Sequence, residues 1–196
     1  MEFRHLVQHA RTHSLRRPRE TGRRLASGQS PTALFITCAD SRIVPAAITG
    51  AQPGSLFELR TAGNVIPTYS EHSASSEMAT IEFAVVQLGV AEVVVCGHSH
   101  CGAVGALHAG EVDHLPLLRR WLATHGPFKS VAAADVAARA EGRAHVLAQL
   151  DRLAAYPFVR DRVDRGDLRL HAWFYDIETG EVSQADTRST EGFVPL

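Results

Sequence analysis

The chain is nearly without lysine. Of its 196 residues only Lys129 is one, so almost all of its 20 basic residues are arginine. That bias reflects composition and carries no functional reading. There is no net charge to speak of either: the formal value is -1. A near-neutral surface argues against binding nucleic acid through a global basic field, and no acidic excess points to disorder. Cysteine is sparse and odd in number, at Cys38, Cys96 and Cys101. A secreted disulfide scaffold carries more, in pairs. Reduced thiols in a cytoplasmic protein are therefore expected. No apolar run approaches the ~18 residues of a membrane span. The first residues, MEFRHLVQHARTHSLRRPRE, have no apolar secretory core. They are arginine-rich but run into a helical pattern without a processing-like break, so a transit peptide is not expected either.

What remains is an ordinary globular composition, 45% hydrophobic, at a length suited to one domain. Residues 1–28 read as one or two basic amphipathic helices with no place in a sheet, an arm suited to docking on a partner subunit. Residues 29–196 read as the core. Four apolar runs are strand candidates: TALFIT (32–37), SLFELR (55–60), EVVVCG (92–97) and LRLHAWFYD (168–176). The first and third are nearly continuous, as in strands buried on both faces of a parallel sheet. SASSEMATIEFAVVQLG has serines at its start, Gly89 at its end, and Met78, Ile81, Val85 and Leu88 at helical spacing. EGRAHVLAQLDRLAAY repeats that periodicity. Strands alternating with helices predict an α/β fold with a mostly parallel sheet of four to five strands flanked by helices. YDIETGEV (175–182) predicts a hairpin near Gly180 that adds a short antiparallel edge strand.

In open α/β sheets, ligands bind beyond the carboxyl ends of the strands. Two of those ends carry reactive groups. The first strand runs into TCADSR, delivering Cys38, Asp40 and Arg42; the third runs into GHSHC, delivering His98, His100 and Cys101. If the two strands are neighbours, the groups share one rim. Two thiolates and one imidazole suit zinc, and three protein donors leave one position open, the pattern of a catalytic site. Spacing leaves His98 and His100 as alternatives for the imidazole. Cys96, inside its apolar run, reads as buried core. Asp40 and Arg42, two apart, are placed to form a bidentate pair. Asp40 could orient a water at the open position or occupy that position itself, with Arg42 deciding between the two. His5, His9 and His13 recur every four residues. A polar helix face or an oligomer contact accounts for them better than a surface metal does, and RRPRETGRR (16–24) reads as a solvated helix start.

These residues resemble the β-class carbonic anhydrases. The resemblance rests on CADSR (38–42), PGSLFELRTAGN (53–64), IEFAV (81–85) and VVVCGHSHCGAVGA (93–106), in that family's order and spacing, over roughly positions 29 to 107. It implies zinc held by Cys38, His98 and Cys101, which sets His100 and Cys96 aside. It further implies a catalytic dyad of Asp40 and Arg42, with Asp40 as a possible fourth ligand in a closed state. Substrate contacts are implied for Gln29 (reaching across from a neighbouring subunit), Phe57, Ala62, Phe83 and the Gly102 amide. The implied reaction is reversible hydration of carbon dioxide to bicarbonate by a cytoplasmic homodimer or homotetramer. Alternatives on the same site are hydrolysis of carbonyl sulfide or carbon disulfide, or a zinc-holding module without activity. Three residues depart from the common pattern: Thr61 in place of asparagine, Phe83 in place of tyrosine, and Phe35 where closed-site members often have tryptophan. With Gln29 present, the last leans toward an open site.

Overall fold

Among the described residues, six strands form one sheet, the second in chain order at one edge, then the first, third, fourth, fifth and sixth. The structure, a computed structural model, describes residues 2–109, 113–125, 137–186 and 192–196. The strands β1 (Ala33–Cys38), β2 (Leu56–Thr61), β3 (Glu92–His98) and β4 (Arg169–Tyr175) are parallel. β5 (Val182–Ala185) and β6 (Phe193–Pro195) add on antiparallel. The hairpin after β4 is where the sequence puts it, but β5 is not the edge. β6 pairs outside it, and three residues are too few to show a period-2 pattern.

The chain divides into two units, Met1–Ser30 and Pro31–Leu196. The first contains α1 (Phe3–Arg11), α2 (His13–Arg16) and α3 (Arg19–Ala26). Thr12 interrupts α1 and α2, its hydroxyl donating to the carbonyls of Gln8 and His9, and Pro18 precedes α3. These helices bury no residue, and Phe3, Leu6 and Leu15 are exposed. The second unit contains the sheet together with α4 (Pro45–Thr49), α5 (Ser76–Glu82), α6 (Gly102–Ala109), α7 (Pro116–His125), α8 (Arg139–Ala154) and α9 (Pro157–Asp164). Among the described residues, no helix is long and apolar enough to cross a membrane.

Strand alternation sorts the core into two layers. Leu34, Ile36, Val93, Val95, Ala172 and Phe174 face the main cluster, into which the helices contribute Met78, Ile81, Val146, Leu153 and Val159. Burying each of these large side chains contributes about 1.5–3 kcal/mol. Phe35, Val94 and Cys96 point the other way, against Leu56, Trp173 and Tyr175. α8 lies tightly on β3: a Cβ added to Gly97 would sit 2.3 Å from Cγ2 of Val146. The Ser75 hydroxyl caps α5 by accepting from the Met78 amide at 3.2 Å. The helix then loosens into a π-helical turn, Phe83–Gln87, closed by Leu88 N–H to the Phe83 carbonyl. The extra residue in that turn leaves Phe83 exposed at the surface.

Candidate metal centre

Parallel register decides where the donors go. β1 and β3 are adjacent, with Thr37 opposite Cys96, so their carboxyl ends lie side by side. Cys38 ends β1 and His98 ends β3. The chain then turns through Ser99 and His100, the latter left-handed at φ 56°, and delivers Cys101 just before α6 begins. The donor atoms of Cys38, His98 and Cys101 all lie within 4.8 Å of one another, and all three side chains are buried. Among the described residues this is the one group of His, Cys, Asp or Glu close enough to share an ion. His5, His9 and His13 do not form such a group, and His100 is not part of the cluster.

The imidazole is already oriented as a ligand. His98 Nδ1 lies 2.8 Å from the Ser99 carbonyl, which can only accept, so Nδ1 donates. Nε2 is the nitrogen left over, buried and without a hydrogen-bond partner. Ser99 is itself fixed, its amide donating to the Tyr175 carbonyl at 3.0 Å and its hydroxyl accepting from the Ile177 amide at 2.9 Å. An orphaned buried nitrogen beside two sulfurs fits a soft divalent ion, as the donor set itself does. The thiols are prepared for it as well. A hydrogen bond from Cys101 brings the Cys38 thiol down to about 4, helped by the amides of Asp40 and Gly63, against the cost of burial. Cys101 is driven the other way, first by its bond to Cys38 and then by burial. The pair thus holds one proton where a cation would displace it.

Asp40 stands beside this cluster without entering it. Arg42 Nε donates to Oδ1 at 3.0 Å and Nη2 to Oδ2 at 2.7 Å, and the Arg42 amide adds a third bond to Oδ1 at 2.9 Å. The guanidinium holds the Asp40 carboxyl well below the usual carboxylate range. Arg42 Nη2 also donates to the His100 carbonyl at 2.9 Å, tying the β1 turn to the β3 turn. Asp40 Oδ2 lies 4.0 Å from His98 Nε2. So the carboxylate is at the donor cluster but clamped away from it.

Of the remaining predicted residues, Gly102 opens α6 directly after Cys101, and Ala62 starts a short helical turn, Ala62–Asn64, after β2. Phe57 is not at this rim. It pairs with Leu34, four rungs before the Cys38–Thr61 pair. Its ring lies 5.9 Å from that of Phe83. Gln29 is exposed and belongs to the N-terminal unit. Cys96 is fully buried, its thiol pushed up to about 12 by desolvation. The sequence reading missed three supporting residues. The Arg60 guanidinium donates to the carbonyls of Cys38, Asp40 and Ile43 and so fixes the CADSR turn. Trp121 Nε1 donates to the Ala62 carbonyl at 3.2 Å. His145 Nε2 lies 2.6 Å from the Gly63 carbonyl. An arginine closing a half-buried strand was the one available signal; the other two act on backbone and leave no motif.

Comparison with known proteins bears on the same region. A family profile described as carbonic anhydrase matches residues 33–182. The chain is 42% identical over 179 residues to a carbonic anhydrase of Pseudomonas aeruginosa, spanning 88% of this chain and 80% of that one. It is 40% identical over 187 residues to carbonic anhydrase 1 of Escherichia coli O157:H7, spanning 89% and 82%. Among solved structures it is similar to the β-carbonic anhydrase CcaA, with a TM-score of 0.83 at 35% identity over 97% of this chain and 88% of that one. It also resembles one of two tetrameric β-carbonic anhydrases of Sordaria macrospora, with a TM-score of 0.69 at 27% identity over 92% of each chain.

Proposed function

The chain belongs to the β-class carbonic anhydrase family and is a carbonic anhydrase, and from that premise we propose that it interconverts carbon dioxide and bicarbonate at a zinc ion held by Cys38, His98 and Cys101. The observation that carries this reading is the buried convergence of two sulfurs with an imidazole nitrogen that has no other partner. Zinc, when bound, would supply a water acidified far below bulk water, toward about 7, the general figure for zinc-bound water in carbonic anhydrases.

The protein's own groups supply direction. Asp40, kept ionised by Arg42, accepts a hydrogen bond from the attacking water, so that a lone pair is aimed at the carbon. The two hydrogen bonds from the Arg42 guanidinium also hold the carboxylate back from the Cys38–His98–Cys101 cluster. Phe35, in place of the tryptophan of closed-site members, agrees with an open state. The Gly102 amide, at the free start of α6, donates to a product oxygen, and Ala62 lines the apolar side. Carbon dioxide and water give bicarbonate and a proton, which leaves to solvent.

The rest of the pocket is proposed to come from a second copy. Phe57 and Phe83 form an aromatic pair away from their own chain's metal cluster, and Phe83 is 44% exposed. Such a pair suits a wall offered to a partner's site; Gln29, in the N-terminal unit, is proposed separately as a contact to the substrate of a neighbouring subunit. A homodimer or homotetramer follows, and the Sordaria macrospora enzymes are tetrameric. Thiol ligands need a reducing compartment, which supports a cytoplasmic location.

Stopped-flow hydration of carbon dioxide across pH, with zinc quantified on the same sample, tests the reading. The expected result is about one zinc per chain and activity rising through an apparent pKa of about 7 to 8. Zinc-loaded protein without hydration from about pH 6 to about pH 9 would contradict it, and faster turnover of carbonyl sulfide would move the assignment to that substrate.

A further inference from the structure

The peptide unit between Ala62 and Gly63 faces two ways. The turn follows Thr61, which stands opposite Cys38 across the two strands, and packs on Ala103 beside the Cys38–Cys101 pair, so the Gly63 N–H is at the Cys38 sulfur, whose thiol pKa it helps to lower. The unit's carbonyl, on Ala62, accepts from the Trp121 indole at 3.2 Å. A donor on the carbonyl polarises the unit and strengthens the bond its N–H makes. The next carbonyl, on Gly63, accepts from His145 Nε2 at 2.6 Å. Gly63 itself is left-handed at φ 73°, and a Cβ there would meet the Ala103 Cβ at 3.2 Å, so nothing but glycine suits the position.

The His145 bond has its proton order fixed from behind. The Ile66 amide donates to Gln149 Oε1 at 2.8 Å, which turns the Gln149 NH2 toward His145 Nδ1 at 3.4 Å. Nδ1 therefore accepts, and Nε2 carries the proton it gives to Gly63. His145 and Gln149 begin a stripe along one face of α8 and beyond it, with spacings of four, three and four residues. Arg152 donates to the Ile66 carbonyl at 3.0 Å and the Tyr156 hydroxyl to the Pro67 carbonyl at 2.8 Å. All four members grip residues 63–67, and His145, Gln149 and Tyr156 are buried. The end of the stripe nearest the metal cluster is His145.

We propose that Trp121 and His145 are positioning residues of the metal centre: they lock two successive peptide units so that the Gly63 amide stays on the Cys38 sulfur, fixing the ligand's direction and tempering its donor strength. The inference rests on the zinc reading above but adds two residues that touch neither metal nor substrate. Groups that orient ligands in this way typically cost 10–100-fold in metal affinity when removed.

The test uses the full-length protein. Zinc affinity is measured by competition with a chelator, and the thiolate-to-metal charge-transfer band is recorded with cobalt in place of zinc. Trp121→Phe keeps the ring and removes the donor; His145→Leu removes the second donor; His145→Gln keeps an N–H at similar reach. Tyr156→Phe cuts a bond of the same kind at the far end of the stripe. Trp121→Phe and His145→Leu are expected to weaken zinc about tenfold and move the band to longer wavelength, because a sulfur with fewer hydrogen bonds gives up charge more readily. His145→Gln should follow the wild type, and Tyr156→Phe should lower Tm without moving the band. Unchanged affinity and band in Trp121→Phe would overturn the proposal, as would an equal shift in Tyr156→Phe. Trp121→Phe decides the matter if His145→Leu does not fold. A wild type that binds cobalt without a thiolate band would overturn the zinc reading itself, a separate failure.

Discussion

The middle of β1 and β3 and the carboxyl ends of the same two strands are built on opposite principles. In the middle, Phe35, Val94 and Cys96 pack as an apolar layer. The Cys96 thiol there is held protonated by burial alone, up to about 12. A few residues further along, Cys38 has the Cys101 thiol and the backbone N–H groups of Asp40 and Gly63 about its sulfur and is drawn down to about 4. Both cysteines are buried. What separates them is that one is surrounded by apolar side chains and the other by N–H and S–H groups. Burial makes a thiol inert, whereas burial with donors favours the thiolate that a metal would take.

The sharpest way to break that contrast is to change the sulfur at the rim. Cys38→Ser is expected to lose zinc and essentially all hydration activity, by metal analysis and stopped-flow assay on one preparation. Arg42→Ala comes next. Zinc should stay, while the freed Asp40 loses its orientation; a fall in kcat of about 10²–10⁴-fold is expected, and a fall of less than about tenfold would mean the clamp is decorative. Within the strand interior the effects should be on stability only. Gly97→Ala drives a Cβ into Val146 and should cost about 1–3 kcal/mol in chemical denaturation, with zinc still bound after folding. Cys96→Ser places a hydroxyl in an apolar layer and should cost about 1 kcal/mol, leaving metal content and kcat intact. If Cys96→Ser strips zinc as Cys38→Ser does, the contrast between the two regions is lost.

The smallest expected effect lies at the opposite ends of the strands. Glu92, which opens β3, is bonded by Arg169 and by His171 Nε2, the latter at 2.8 Å. Arg169 first and His171 second lower its carboxyl below the ordinary value. A depressed carboxyl stabilises the fold at pH above its unfolded value and loses that contribution as pH falls through the folded one. Glu92→Gln should therefore be less stable at neutral pH by about 0.5 kcal/mol and flatter than the wild type as pH drops below the usual glutamate range.

These two regions also differ in how plainly the sequence reveals them. The proposed metal donors stand out in the sequence because each strand's apolar run ends abruptly in cysteine or histidine, and parallel neighbours bring such ends together. Spacing alone could not choose between His98 and His100. The structure separates them through backbone: His98 ends β3 with Nδ1 on the Ser99 carbonyl, while His100 is turned into a left-handed corner whose carbonyl serves Arg42. Phe57 and Phe83 could not be placed from sequence, because their pairing depends on a register four rungs from the site and on a π-turn that shifts the helical period. Trp121 and His145 were invisible for a different reason. They bond carbonyls, and a carbonyl acceptor is present at every residue, so no side-chain pattern marks the partner. β6 was too short to announce itself.

The central claim is that two sulfurs and one imidazole, from two neighbouring strand ends, hold the metal. X-ray absorption at the zinc edge of the purified protein reads that donor set directly. The account predicts two sulfurs at about 2.3 Å and one nitrogen at about 2.0–2.1 Å, completed by a light atom, with the sulfur count falling in Cys38→Ser and unchanged in Cys96→Ser. A shell of three sulfurs, or one with no sulfur at all, would contradict it.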